Sequence, residues 1–196
     1  LSAIKRRPGG RTERIRQAVA TAVLELIGRG RLDFDMQEVV TLSGIGRSTL
    51  FRRWPDRDAL IVEALSEHVS QLQIVTSRDW ERDLATNMHG LCRFVARPIE
   101  LALNKLLVTT HNAALKKAII DAWLPILRVF EQPLRHALRS GELIDGTDTR
   151  QVVRFIFAEM AFRSMIDPAS MDEKYVDGLL RLILQGIKQE RHSSAR

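Results

Sequence analysis

Apolar residues recur along this chain at offsets of three and four and almost nowhere alternate for long, which is the pattern of helices rather than strands. Ile15, Val19, Ala22, Val23, Leu26 and Ile27 form one stripe, with Thr12 placed to cap its start and Gly28 and Gly30 to stop it. Asp35 and Glu38 then have the spacing of a capping box, in which each side chain satisfies the other's backbone amide. Met36, Val39 and Val40 give the short helix predicted over 36–42 its inward face. Ser43-Gly44-Ile45-Gly46 breaks the pattern, because glycine accepts the positive φ of a tight turn while Ile45 plugs the core between flanking helices. A third short helix, Arg47 to Arg53, buries Leu50 and leaves Arg47, Ser48, Thr49, Arg52 and Arg53 mostly outside. Pro55 ends it, and Asp56 caps a fourth helix carrying Leu60, Ala64, Leu65 and Val69 on one side.

Farther on, residues 75–140 are rich in Leu and Ala and interrupted by Pro98, Pro125 and Pro133. Between Gln151 and Met165 the apolar residues, Phe155, Ile156, Ala158 and Phe162 among them, spread round most of a helix instead of along one stripe. Leu180, Ile183, Leu184 and Ile187 belong to a similar segment near the carboxy terminus. A helix apolar nearly all round is buried on more than one side, either at the centre of a monomer or between two copies.

With 196 residues, 45% of them hydrophobic and 28% charged, the chain fits one or two small globular domains. The longest runs free of Lys, Arg, Asp and Glu, His68–Ser77 and Leu106–Leu115, are ten residues long. A bilayer span needs about 20 apolar residues, so no membrane helix is expected. Leu1 to Gly10 holds a basic cluster with no apolar stretch behind it, so no secretory signal is expected either. Cys92 stands alone and forms no internal disulfide, which makes a reducing, cytoplasmic setting the natural expectation.

The net charge of +6 is unevenly placed. Residues 1–60 carry 12 Lys and Arg against 7 Asp and Glu, whereas 61–196 carry 18 against 17. A basic first third suggests that this part meets a polyanion, although a solvated basic face gives the same count. The pattern decides between them. Two short helices joined by a glycine turn, the second with polar and cationic residues outside, have the form of a helix-turn-helix. The major groove of DNA, about 12 Å wide, admits one such helix.

The run from Glu38 through Gly44-Ile45-Gly46 and Arg47-Ser48-Thr49-Leu50-Phe51 to Trp54-Pro55-Asp56-Arg57 resembles the DNA-binding signature of the TetR/AcrR family of bacterial repressors. The likeness extends over about Thr12 to Leu65; beyond that it is one of architecture. Three positions depart from the family pattern. Phe51 stands where Tyr is usual, so the hydroxyl that the resemblance would assign to a phosphate is missing. Gly46 replaces a capping Ser or Thr, and Phe34 replaces a Thr that could reach phosphate. Arg57 takes the place of the family's Lys at the start of the fourth helix.

The resemblance implies an all-α protein: a flexible basic arm over 1–11, a three-helix helix-turn-helix domain over 12–58, a helical effector-binding and dimerisation domain over 59–190, and a tail over 191–196. Arg47 and Arg52 are assigned base readout, since arginine pairs bidentately with guanine, with phosphate binding as the alternative. Ser48 and Thr49 let the helix approach, Thr49 with a phosphate or a thymine methyl. Arg53 and Arg57 are assigned to phosphates, and Phe51 belongs to the same contact surface. Leu50, Ile45 and Trp54 are expected to be structural. Lys5, Arg6 and Arg7, ahead of Pro8, could enter a minor groove.

One helix-turn-helix reads too few base pairs to be useful, so a homodimer on a palindromic operator is expected. Its two-fold interface is placed over about 150–165 and 173–188, at Phe155, Ile156, Ala158, Phe162, Leu180, Ile183, Leu184 and Ile187. For a small hydrophobic effector the candidates are Trp80, Phe94, Leu107, His111, Trp123 and Phe130. Read from the residues alone, most such side chains at helical offsets pack as core. No cofactor, metal or membrane partner is expected.

Two other classes compete with this reading. An all-α enzyme would need a nucleophile with its base, an acid pair or metal ligands, but the histidines at 68, 89, 111, 136 and 192 are dispersed. His89-x-x-Cys92 lacks further ligands at zinc spacing, and Gly44-Ile45-Gly46 lacks the third glycine and preceding strand of a dinucleotide fingerprint. A helical adaptor whose basic surface meets an acidic protein remains the other alternative. Salt-dependent preference for one duplex over a scrambled one separates a regulator from it.

Overall fold

The computed structural model describes residues 10–31 and 33–189. The basic arm's Lys5, Arg6 and Arg7 and the tail over 191–196 lie outside the described residues. Every regular element among the described residues is helical: α1 (Arg11–Gly28), α2 (Met36–Ser43), α3 (Arg47–Arg53), α4 (Arg57–Val69), α5 (Trp80–Val95), α6 (Pro98–Thr109), α7 (Ala113–Arg139), α8 (Thr149–Ile166) and α9 (Glu173–Ile187), with a 3-10 turn at Pro168–Ser170. The all-α expectation therefore holds. A single antiparallel bridge joins Leu143 to Lys188.

Two compact units emerge. The first takes the described residues up to Gln71 together with Lys105–Trp123, and the second takes Leu72–Asn104 with the described residues from Leu124 onward. The helix-turn-helix thus folds in one unit with the end of α6 and the start of α7.

In the first unit, α1 packs on α4 and on α2. Val19, Val23, Leu26 and Ile27 of α1 and Leu60, Ala64 and Leu65 of α4 are buried, each Val, Leu or Ile contributing about 1.5–3 kcal/mol through burial. Arg16 fastens the edge of this pair, bonding through Nε to Glu63 and lying 3.5 Å from Glu67. Thr12 does not cap α1. The helix starts one residue earlier, after Gly10, with no side-chain cap.

In the second unit, α5 packs against both α8 and α9. The segment before α5 is tied down by side chains from the helix itself. Asn87 accepts from the Val75 amide and donates to the Val75 carbonyl, both at 2.8 Å, and Asp83 accepts from the Ser77 amide and hydroxyl. Buried polar groups stay only where such partners exist.

Of the three prolines expected to interrupt the middle region, only Pro98 marks a boundary, as the first residue of α6. Pro125 and Pro133 lie inside α7, a helix of 27 residues. Each removes one amide donor and costs a helix interior about 3 kcal/mol. Tertiary packing outweighs that local penalty: Phe130, Leu134 and Ala137, at offsets of four and seven, are buried.

Candidate nucleic-acid interface

The reader is built from the capping box outward. The Glu38 amide donates to Asp35 Oδ1 at 2.8 Å, and the Asp35 amide donates to Glu38 Oε1 at 3.1 Å. α2 begins where the spacing predicts and runs one residue past the expected end, to Ser43. Gly44 closes it with φ at +66°, in the left-handed region that side-chain-bearing residues rarely adopt, and its amide donates to the Val40 carbonyl. The chain then turns, and the Gly46 carbonyl accepts from the Thr49 and Leu50 amides to start α3.

Leu50 is fully buried and Trp54 nearly so. Those two anchors fix which side of α3 faces water. Arg47, Ser48, Phe51 and Arg52 are exposed, while Thr49 and Arg53 are half-buried. The outer face is organised: Arg47 lies over the Phe51 ring, 5.1 Å from its centroid, and its Nη1 donates to Gln37 Oε1 at 3.1 Å. Arg53 lies over Trp54 at 5.5 Å. Gln37 is a neighbour that sequence reasoning missed, because ten residues and a turn separate it from Arg47 and no motif pairs them.

Asp56 caps α4 by accepting the Ala59 amide at 2.8 Å, as its position predicts. Arg57 is partly covered, with 41% of its side chain exposed. Its Nε is buried without a hydrogen-bond partner and stands 3.9 Å from Asp58. With Ile61, Val62, Asn112 and Leu115 it lines a cavity of about 150 Å³ within the first unit.

The effector candidates divide three and three between the units. Trp80, Phe94 and Phe130 are buried in the second. The Trp80 indole donates to Glu142 Oε2 at 2.9 Å, and Phe130 meets Phe157 edge-on at 5.1 Å. Leu107 and Trp123 in the first unit are half-buried and His111 is exposed.

The candidate interface residues separate by face. Phe155 and Phe162 are 48% and 56% exposed on α8, Ala158 is exposed between them, and Ile166 at the end of α8 and Leu182 on α9 are each 61% exposed. Ile156 is fully buried, and Ile183 and Ile187 nearly so, so these three hold their helices to their own protomer. Leu180 and Leu184 are half-buried.

His89 and Cys92 do not converge on a metal. His89 Nε2 lies 3.0 Å from Asp177 Oδ1, and the Cys92 thiol, its pKa pushed up by burial, points to the Met171 carbonyl. Among the described residues no group of three His, Cys, Asp or Glu could hold a metal ion, and no helix is long and apolar enough to cross a membrane.

Residues 76–183 match the family model of the tetracyclin repressor-like C-terminal domain. The chain is 27% identical to a DNA-binding transcriptional repressor TetR of Mycobacteroides abscessus, over 87% of this chain and 94% of that one. It is 25% identical to the HTH-type transcriptional regulator AqdR of Rhodococcus erythropolis, over 73% and 70% respectively. Among solved structures, a TetR transcriptional regulator from Agrobacterium tumefaciens superposes with a TM-score of 0.74 at 20% identity, covering 92% of this chain and 98% of that one. FadR of Bacillus subtilis, solved with stearoyl-CoA, superposes at 0.71 and 16% identity, covering 87% and 98%.

Proposed function

This chain belongs to the TetR family of transcriptional regulators, and from that premise we propose that it is a homodimeric, sequence-specific repressor released from a palindromic operator by a small hydrophobic effector. One observation carries the reading: Leu50 and Trp54 are buried beneath α3 while Arg47, Ser48, Phe51 and Arg52 stand outside. A short rod whose inner face is fixed and whose outer face is cationic suits the major groove.

In this reading Arg47 and Arg52 contact base edges, Ser48 and Thr49 allow close approach, and Arg53 and Arg57 meet phosphates. DNA reading is assigned to 12–58, and effector binding and dimerisation to 59–190. The exposed residues of α8, Phe155, Ala158 and Phe162, would meet their symmetry mates, with Leu180 and Leu184 at the margin. The protein would act without catalysis, in the cytoplasm.

Release follows from linkage. A ligand that prefers a different spacing of the two recognition helices weakens DNA binding by the same factor as DNA weakens ligand binding, and a coupling of about 1–3 kcal/mol changes affinity about 5- to 150-fold. α4 is the natural lever, since it packs along α1 behind the reader. One structural neighbour was solved in complex with stearoyl-CoA, a molecule with a large apolar part, and acyl chains, lactones and aromatics are the classes to screen. The test is retention of genomic fragments by the purified protein with and without such compounds. Enrichment of one palindrome that a compound abolishes supports the reading; uniform retention of all fragments overturns it.

A further inference from the structure

The second unit has a concentration of positive charge that the operator reading does not use. Between α7 and α8 runs a groove of about 310 Å³ whose rim holds four guanidinium groups, Arg128 and Arg135 from α7 and Arg150 and Arg154 from α8. Its accessible apolar lining is Leu124 and Leu127 of α7, Val153 being itself buried, and Glu131 is its one acidic lining residue. That carboxylate is engaged: Glu131 Oε1 accepts from the Thr149 hydroxyl at 2.8 Å. Among the described residues none of the four guanidinium groups pairs with a carboxylate.

Asp148 and Glu142 have partners of their own. Asp148 caps α8 through the Gln151 amide, and Glu142 accepts from the Trp80 indole and the Ser140 hydroxyl. A second concavity borders the first across Arg135 and adds Arg78, His136 and Arg139. The near-neutral balance of residues 61–196 therefore conceals a segregated cationic surface. Guanidinium groups so close together repel one another, and a bound anion relieves that repulsion while the planar fork of each offers paired hydrogen bonds to phosphate or carboxylate oxygens.

We propose that the α7–α8 groove is a binding site for a small amphiphilic organic phosphate, its phosphate held among Arg128, Arg135, Arg150 and Arg154 and its apolar part on Leu124 and Leu127. The concave shape and the volume favour a small molecule over the flat surface of a macromolecule. Arg154 stands one residue before Phe155 and four before Ala158, so the groove opens beside the exposed face of α8.

The experiment is calorimetric titration of the full chain, free of DNA, with octyl phosphate, octanol and inorganic phosphate at low and moderate salt. Octyl phosphate should saturate at one site per protomer, bind more weakly as salt rises, and exceed both partial probes. Arg150→Gln with Arg154→Gln should weaken it about tenfold or more, the scale expected for losing charged hydrogen bonds. Arg47→Gln with Arg52→Gln, which alters the DNA reader, should leave it unchanged. Leu124→Asp, at a partly exposed position, tests the apolar lining and should remove the advantage of octyl phosphate over inorganic phosphate, with circular dichroism confirming that each variant folds. Absence of saturable binding, equal binding of octyl phosphate to the Arg150/Arg154 variant, or competition by an acidic peptide or by DNA at this groove would overturn the proposal. Absent or unselective binding of octyl phosphate would leave the operator reading standing, since that reading fails on DNA: if all fragments are retained alike, or if the α3 variants keep full sequence preference.

Discussion

The guanidinium of Arg47 rests on the face of Phe51, one turn along α3, with its central carbon 5.1 Å from the ring centroid. Phe51 lacks the hydroxyl of the tyrosine usual at this position, yet the ring retains a purpose. It gives the group proposed to read a base an aromatic shelf, and the same guanidinium donates to Gln37 Oε1 at 3.1 Å. A cation over an exposed aromatic face is worth about 0.5–1 kcal/mol.

Replacing that ring separates shelf from hydroxyl. Phe51→Leu should weaken binding to the selected operator by a few-fold and binding to random duplex much less, because the lost interaction orients Arg47 and does not itself touch phosphate. Phe51→Tyr keeps the shelf and adds a phosphate donor, so affinity should rise on every duplex. Fluorescence anisotropy on both duplexes reads the difference; unchanged selectivity in Phe51→Leu would show that the ring does not orient Arg47.

Arg47→Ala or Arg52→Ala should relax preference at one operator position by about 1–3 kcal/mol, the worth of a bidentate base contact. Arg57→Ala should instead weaken all sequences alike and flatten the salt dependence by about one ion. Equal losses on operator and random duplex for all three variants would defeat that division of labour.

The reader was legible because its boundaries are set by neighbours in sequence. Asp35 and Glu38 form the box their spacing promises, Gly44 takes the positive φ the turn needs, and α3 spans Arg47–Arg53 as read. The middle of the chain was not, because its helices are decided by distant contacts. Pro125 and Pro133 read as breaks, yet α7 runs through both under the packing of Phe130 and Leu134. The all-round apolar pattern of α8 likewise hid two faces: Ile156 inward, Phe155 and Phe162 outward. Arg57 shows the same limit for a site residue, since its position beside Asp56 gave no sign that its Nε would be buried or that it would line a cavity with Ile61 and Leu115.

That division of α8 can be tested by charge. Phe155→Glu with Phe162→Glu should leave the protomer folded, because both side chains are about half exposed, but give a monomer in sedimentation and abolish tight binding to the palindrome. Ile156→Ala should do the reverse, costing about 2–5 kcal/mol of protomer stability through a core cavity. A dimer that survives both glutamates would move the interface elsewhere.

Tyr175, the chain's single tyrosine, reports on the α8–α9 contact. Burial, and then the charge and hydrogen bond of Glu159, push its pKa up from 10.0 to about 12, with the hydroxyl 3.3 Å from Glu159 Oε1. The folded state therefore holds this proton after the unfolded chain has released it. Stability from the group is present below pH 10 and is lost as pH rises toward 12. Tyrosinate absorbance should titrate near 12 in the native protein, and Glu159→Gln should lower the midpoint while leaving it above 10. A native midpoint at 10 would contradict the burial of this ring.

The most direct test of the central claim is equilibrium binding of the purified protein to a duplex selected from random sequence, beside a scrambled duplex of equal composition, across a range of salt. A reader helix that presents Arg47 and Arg52 to base edges predicts a dimer on each palindrome and a preference of about a thousandfold or more at physiological salt, reduced by alanine at either arginine. Equal affinity for the two duplexes at every salt concentration, with the arginine variants indistinguishable from the parent, would contradict it.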